Sequence, residues 1–162
     1  RLLAQYGCEQ IAFGHESGSQ EILDRVNKRT TVKQNYDSVK YAKKHGLKVK
    51  SFIMLGLPGE SPKSIRETIR FLDSTEPDEV QIATYMPYKG TQIREDLDNG
   101  KDIDLELLVD KVSGAYGIKG QKPVVEVRTS AFSQQDLKNI QNKLIERYRR
   151  WLIKNILRTG VK

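Results

Sequence analysis

Three short segments hold the residue types that could bind a ligand: GHESGS (14–19), GLPGES (56–61) and YMPYKGT (85–91). Each ends an extended, apolar-rich run and precedes a helical pattern. Glycine at such a junction lets backbone approach a ligand closely or take a positive φ. The helix N-termini that follow expose free N–H groups to the same rim. A tight turn between strand and helix needs glycine in any case, so the GLPGES segment alone does not require a ligand. It is not a P-loop, because no Lys-Ser/Thr pair follows its second glycine. Glu60 beside a helix start can act through the helix dipole alone. His15 lies at a strand end, either behind a ligand-contacting residue or as a structural or solvent-facing side chain. His45 sits at a helix C-terminus and complements the dipole there. The one cysteine, Cys8, excludes an internal disulfide and any all-cysteine metal site within the chain. No side chain here is assigned a catalytic or metal-binding role.

The elements that must position these segments follow from periodicity. RLLAQYG reads as the last turns of a helix closed by Gly7, and the chain enters mid-fold, as a portion of a larger protein would. EQIAFG (9–14) is a strand. Ser17 and Gln20 have capping-box spacing and open the helix QEILDRVNK; Thr31 and Gln34 repeat that spacing and open VKQNYDSVKYAKKHG. LKVKSFIMLG (47–56) is a strand with a wholly apolar second half, as in a parallel sheet covered on both faces. Ser61 and Pro62 open the helix SIRETIRFLD. DEVQIATYMP (78–87) is a further strand, followed by the short helix TQIREDLD. This alternation implies right-handed βαβ units and a parallel sheet over residues 1–100. In residues 101–162, IDLELLVDKV reads as helical and KPVVEVRTS as extended. Ser133 then caps a long helix with Leu137, Ile140, Leu144, Tyr148 and Trp151 on one stripe, a face to be packed on the domain.

The chain has 162 residues and a formal net charge of +7. Residues 1–99 carry 15 basic and 14 acidic side chains, and residues 100–162 carry 13 and 7. The excess is therefore concentrated in the last third, along Lys138, Lys143, Arg147, Arg149, Arg150, Lys154 and Arg158. Such a ladder is either a nucleic-acid footprint or a solvated helix face. No apolar run is long enough to span a bilayer, and no signal-peptide core is present at the N-terminus, which makes the cytoplasm the expected compartment.

Taken together, FGHESGSQEILDRVNK, TTVKQNYDSVKYAKKHGLKVKSFIMLGLPGES, SIRETIRFL and YMPYKGT resemble the radical S-adenosylmethionine (SAM) superfamily over roughly residues 5–95. The similarity is to the branch that often carries a cobalamin-binding domain and includes anaerobic Mg-protoporphyrin ester cyclases and many methyltransferases. The tail VVEVRTSAFSQQDLKNIQNKLIERYRRW is more loosely similar to the segment after the core in that branch. The resemblance implies an α/β fold: a partial parallel (β/α) barrel made of the last three β/α units of a radical SAM core, plus a C-terminal helical tail. It implies that Glu16, with Ser17 beside it, contacts the ribose or the amino end of SAM. It further implies that Met54, Gly56 and Gly59 border the adenine, and that the stretch from Tyr85 through Pro87 to Thr91 helps to read the adenine edge. A carboxylate can accept two hydroxyl hydrogen bonds and strand-end backbone can pair with a base, which suits both roles. Tyr85 and Tyr88 either line a substrate pocket or cover the barrel mouth.

The family's Cys-x3-Cys-x2-Cys motif, which holds a [4Fe–4S] cluster, and its Gly-Gly-Glu motif are absent from the sequence. Arg29 and Lys89 stand where the family commonly has glycine and proline. The resemblance therefore implies a parent enzyme that uses a [4Fe–4S] cluster and SAM to generate a 5′-deoxyadenosyl radical, with cyclase- or methyltransferase-like chemistry and cobalamin as a further cofactor of some relatives. By the same reading, this chain alone is inactive, its partner is the missing N-terminal half, the substrate is a small molecule, and the exposed barrel edge invites self-association. The alternative is a basic RNA-binding module or an RNA-modifying radical SAM enzyme.

Overall fold

A computed structural model describes residues 2–111 and 124–159. A short helix α1 (Leu2–Gln5) leads into β1 (Gln10–Glu16), α2 (Gln20–Arg25), α3 (Val32–Lys44), β2 (Lys48–Leu55), α4 (Pro62–Thr75), β3 (Glu79–Thr84) and α5 (Gln92–Asp98). The three strands form one parallel sheet in the order β1-β2-β3. Ala12 pairs with Lys50 and Lys50 with Glu79. This is the partial parallel (β/α) barrel that the resemblance implies.

Thr31 and Gln34 close a capping box at the start of α3, and Ser61 opens α4 with Pro62 in its first turn. The start of α2 differs from expectation. Its N-cap is Ser19, not Ser17, because the Ser17 hydroxyl is turned toward Thr68 of α4 at 3.1 Å. The first strand also runs two residues beyond Gly14, so His15 and Glu16 belong to the sheet.

Helices α3 and α4 cover one face of the sheet. Val49, Ser51, Ile53 and Leu55 of β2 point into it, and Phe71 of α4 is its largest fully buried side chain. The expectation that β2 is covered on both faces fails. Its burial alternates: Lys48 is exposed and Lys50, Phe52 and Met54 are half-buried, so this is the more open face among the described residues. That open face is polar at its base, with Lys50 paired to Glu79 at 2.6 Å and poised 5.3 Å over the Phe52 ring.

Residues past 100 depart most from the sequence reading. The IDLELLVDKV segment is not helical: it holds β4 (Glu106–Lys111), which pairs antiparallel with β5 (Val124–Arg128). Its leucines suit either period, and the cross-strand partner decides for the strand. Val112, Lys122 and Pro123 lie outside the described residues. Helix α6 (Gln134–Thr159) starts at a reciprocal Ser133–Asp136 cap and buries Leu137, Leu144 and Tyr148 in the same core as Ile53 and Leu55, with Ile140 packed beside them. Gln141 donates to the Ile82 carbonyl at 2.9 Å, which covers a backbone acceptor of the edge strand β3. Arg147 and Tyr148 reach Asp73 of α4 at 2.7 and 3.1 Å. The Trp151 side chain lies outside the described residues. Among the described residues, no helix is long and apolar enough to cross a membrane.

Candidate functional site

A cleft of about 260 Å³ opens at the carboxyl ends of the three strands, lined by Glu16, Lys28, Met54, Leu57, Tyr85 and the start of α5. Ligands of parallel α/β sheets bind at this end, where loops and helix starts converge. The volume is below that of a typical whole-ligand pocket and fits part of a larger molecule.

Glu16 reaches the cleft through an unusual backbone. It is the centre of a γ-turn, with φ of 62° and the Ser17 amide donating to the His15 carbonyl at 2.7 Å. The pairing of β1 with β2 is irregular at that point, between Gly14 and Glu16. A non-glycine residue held there costs about 1–3 kcal/mol, so its surroundings must over-determine it. They do: both His15 ring nitrogens meet serine hydroxyls, Ser51 and Ser38, each at 2.9 Å. Asn35 donates to the His15 carbonyl at 3.2 Å, and Phe13 and Phe71 flank the ring. His15 is thus a buried anchor behind Glu16. Burial, helped by the Lys28 charge, pushes its pKa down to about 4.

The Glu16 carboxylate is divided in its roles. Oε1 accepts from Lys28 Nζ at 2.8 Å, whereas Oε2 is buried with no hydrogen-bond partner. A buried acceptor left in that state is costly unless something donates to it. Met54, Leu57 and Tyr85 supply apolar surface beside it, and burial pushes the Tyr85 phenol pKa up.

The other predicted binding residues do not line the cleft. Ser17 is fully buried and hydrogen-bonded to Thr68. A Cβ on Gly56 would lie 3.0 Å from Leu137 and 3.3 Å from Val127, so this glycine makes room for β5 and α6. Its N–H is taken by Glu60 Oε2 at 2.6 Å. Gly59 packs against the Arg25 guanidinium, and the Pro87 carbonyl accepts from Arg94 at 3.4 Å. Glu60 itself is 1% exposed, far more buried than a helix-dipole residue need be, and burial raises its pKa to about 7. Sequence reasoning missed Lys28 as a site residue. The signals available were a glycine at position 14, in a strand, and a lysine just past a helix end.

These residues fit a ligand that carries hydroxyl donors next to a flat apolar group, as the nucleoside of SAM does. A [4Fe–4S] cluster does not fit this chain: three thiolates are required, and Cys8 is alone, bonded to the Gln10 carbonyl. Among the described residues, no group of three or more His, Cys, Asp or Glu could hold a metal.

Residues 1–72 match the model of the Radical SAM superfamily. The chain is 35% identical over 95 residues to an uncharacterized methyltransferase of Pyrococcus horikoshii, covering 59% of this chain and 21% of the relative. It is 28% identical over 96 residues to the anaerobic magnesium-protoporphyrin IX monomethyl ester cyclase of Rubrivivax gelatinosus, covering 59% and 17%. A tRNA-2-methylthio-N(6)-dimethylallyladenosine synthase of Clostridium botulinum is 29% identical over 159 residues, covering 93% and 34%. The chain therefore spans between about a sixth and a third of the length of these relatives. In fold, it superposes on the radical SAM methyltransferase TsrM of Kitasatospora setae with a TM-score of 0.58, at 17% identity, over 67% of this chain and 23% of that one. Through residues 1–72 and these relatives, the chain is similar to the radical SAM superfamily.

Proposed function

We propose that this chain forms the SAM-facing end of a radical SAM enzyme, with the cluster thiolates supplied from outside it. The observation that carries the reading is the buried, unpartnered Oε2 of Glu16 at the head of a cleft with Met54, Leu57 and Tyr85. SAM bound at a reduced iron–sulfur cluster supplies radical chemistry. The work of this chain is to bind and orient the nucleoside and to keep water from it. The Glu16 carboxylate would accept from the ribose hydroxyls, and Met54, Leu57 and Tyr85 would border the base. Gly56, Gly59 and Glu60 hold the turn that carries Leu57, and Ser17 ties the loop after Glu16 to α4. Cyclase- or methyltransferase-type chemistry in the complete enzyme is the reading favoured by the Rubrivivax and Pyrococcus relatives; a small-molecule substrate and cobalamin rest on the resemblance of the sequence alone.

Glutamine in place of Glu16 keeps the shape but removes the charge-assisted acceptor. Glu16→Gln in the intact enzyme is expected to weaken SAM binding by on the order of 1.5–3 kcal/mol, roughly ten- to hundredfold. The melting temperature should move less than the affinity, because the amide keeps the size of the side chain and an acceptor for Lys28. Calorimetry and a thermal melt check this. Unchanged affinity with a large drop in melting temperature would assign Glu16 to folding instead.

One observation favours a second reading, an RNA substrate: the tRNA-modifying relative aligns across the tail as well as the barrel strands. In the tail, Lys138 and Arg147 are already paired with Glu126 and Asp73, which leaves Lys143 and Arg149 exposed among the described side chains of the ladder. Arg150, Lys154 and Arg158 lie outside those described. An RNA contact there would weaken steeply with added salt.

A further inference from the structure

We infer that the outer face formed by helices α3, α4 and α6 is a docking surface for a single-stranded stretch of RNA. The inference rests on the RNA-substrate reading, and it extends the contact from the tail to the helices that back the sheet.

Side-chain contacts on either flank of α4 set the three helices side by side, with α4 in the middle. Lys43, in the last turn of α3, donates to the Thr75 carbonyl at the end of α4 at 3.2 Å, and the Tyr36 and Phe71 rings meet edge to face with centroids 5.1 Å apart. On the other flank of α4, Asp73 accepts from Arg147 of α6 at 2.7 Å. Each helix turns a basic stripe outward. In α4, Lys63, Arg66 and Arg70 recur at helical spacing, opposite the buried Ile65, Thr68 and Leu72. In α3, Lys33, Lys40 and Lys44 lie opposite the buried Asn35, Val39 and Ala42. In α6, Lys143 and Arg147 are one turn apart and exposed.

A helix face that only meets solvent commonly carries acids to match its bases. Here the matching runs out. Asp37 pairs with Lys33 at 2.6 Å, Glu67 with Lys63 at 3.9 Å and Asp73 with Arg147 at 2.7 Å. Lys40, Lys44, Arg66, Arg70 and Lys143 have no acidic partner among the described residues, and Glu76 at the end of α4 offsets only part of that excess. Exposed, unmatched cations spread over three helices suit a run of phosphates, whose counterions they replace. Tyr41 stands between Lys40 and Lys44 with 59% of its surface exposed. An open aromatic ring beside cations is a platform on which an unpaired base can stack. An acidic polypeptide needs the cations but not the ring, so the combination favours single-stranded RNA.

The test is fluorescence anisotropy of a labelled single-stranded RNA with this chain in a salt series, with poly-glutamate as a competitor. The triple variant Lys44→Gln, Arg66→Gln, Arg70→Gln is expected to bind about tenfold more weakly and to lower the slope of log K against log salt by about 2, at roughly 0.7 per phosphate contact. The variant Lys101→Gln, Arg128→Gln, Lys138→Gln removes the same charge where each cation is already paired with an acid, and it should stay within about twofold of wild type. Tyr41→Ala should weaken binding about tenfold with the slope unchanged, as loss of a stacked base would. Thermal melts of all the variants check that the fold is kept. A wild type that does not bind the RNA overturns the RNA reading, and this inference with it. Binding that both triple variants weaken equally overturns the surface and leaves the RNA reading standing. Displacement by poly-glutamate as effective, charge for charge, as displacement by unlabelled RNA would assign the face to an acidic protein instead.

Discussion

Replacing Gly18 by alanine is expected to cost about 3 kcal/mol of folding stability, the upper end of what overpacking exacts. A Cβ at that position would lie 2.7 Å from the Glu67 carbonyl oxygen, from Thr68 Cα and from Phe71 Cβ. Two of those atoms are backbone, and the third is rooted to it, so none can swing aside. The loop after Glu16 lies directly on α4. The Gly18 amide donates to the Thr68 hydroxyl at 2.9 Å, and that hydroxyl donates onward to Ser64 at 3.0 Å. Any shift that relieves the clash also breaks this chain. Gly46→Ala is the control: it meets nothing within 4 Å, but its φ of 75° is strained for alanine. It should cost about 1 kcal/mol. Urea denaturation of both variants checks the pair. Equal costs would show that the loop can lift off α4, and the rigid seat of Glu16 would be lost from the account.

The second large effect is on the pH dependence of stability, through His15 and Glu60. His15 has a folded pKa lowered to about 4 by burial and the Lys28 charge, against an ordinary value of 6.5. The unfolded chain takes up a proton as pH falls below 6.5 and the folded one resists it, so stability is lost on acidification, through pH 4. Glu60 works in the opposite sense. Burial raises its folded pKa to about 7 from 4.5, partly offset by the Gly56 amide. The folded state keeps the proton that the unfolded chain releases, so stability is full below pH 4.5 and is lost as pH rises through 7. Each arm amounts to about 3 kcal/mol by proton linkage. Between pH 4.5 and 6.5 the two slopes oppose each other, and their sum is nearly flat.

Glu60→Gln separates them. Relative to wild type, the variant should gain about 3 kcal/mol between pH 4.5 and pH 8, measured by urea denaturation at several pH values. Taking the difference between two pH values cancels any fixed cost of the amide, and it cancels the other carboxylates as well. Parallel pH profiles for the two proteins would mean that Glu60 is ionised in the fold throughout that range.

How much of this was legible in the sequence depends on how local the signal was. Thr31–Gln34 and Ser61–Pro62 announced helix starts, because a capping box is a contact between residues three apart. Glu16, Met54 and Tyr85 could be placed at strand ends from periodicity and the resemblance, and the fold brings them to one cleft. Ser17 had the right spacing for a cap but is held by Thr68, 51 residues away. The role of Gly56 depends on Leu137 and Val127, which no local pattern connects to it. The β4 segment was misread because leucines at 105, 107 and 108 satisfy a helical or an extended period equally. Lys28 was missed because its place depends on a pair of left-handed residues beside it and on the absence of a side chain at Gly14.

SAM is proposed to meet this chain in the cleft at Glu16. The most direct measurement is an NMR titration of the methyl-labelled protein with SAM. Shifts are expected at Met54, Leu57 and Ile93, which line the cleft, with Leu137 and Leu144 in the core under α6 unmoved. Shifts confined to α6 or to the β4–β5 pair, with Met54 and Leu57 silent at saturation, would contradict it.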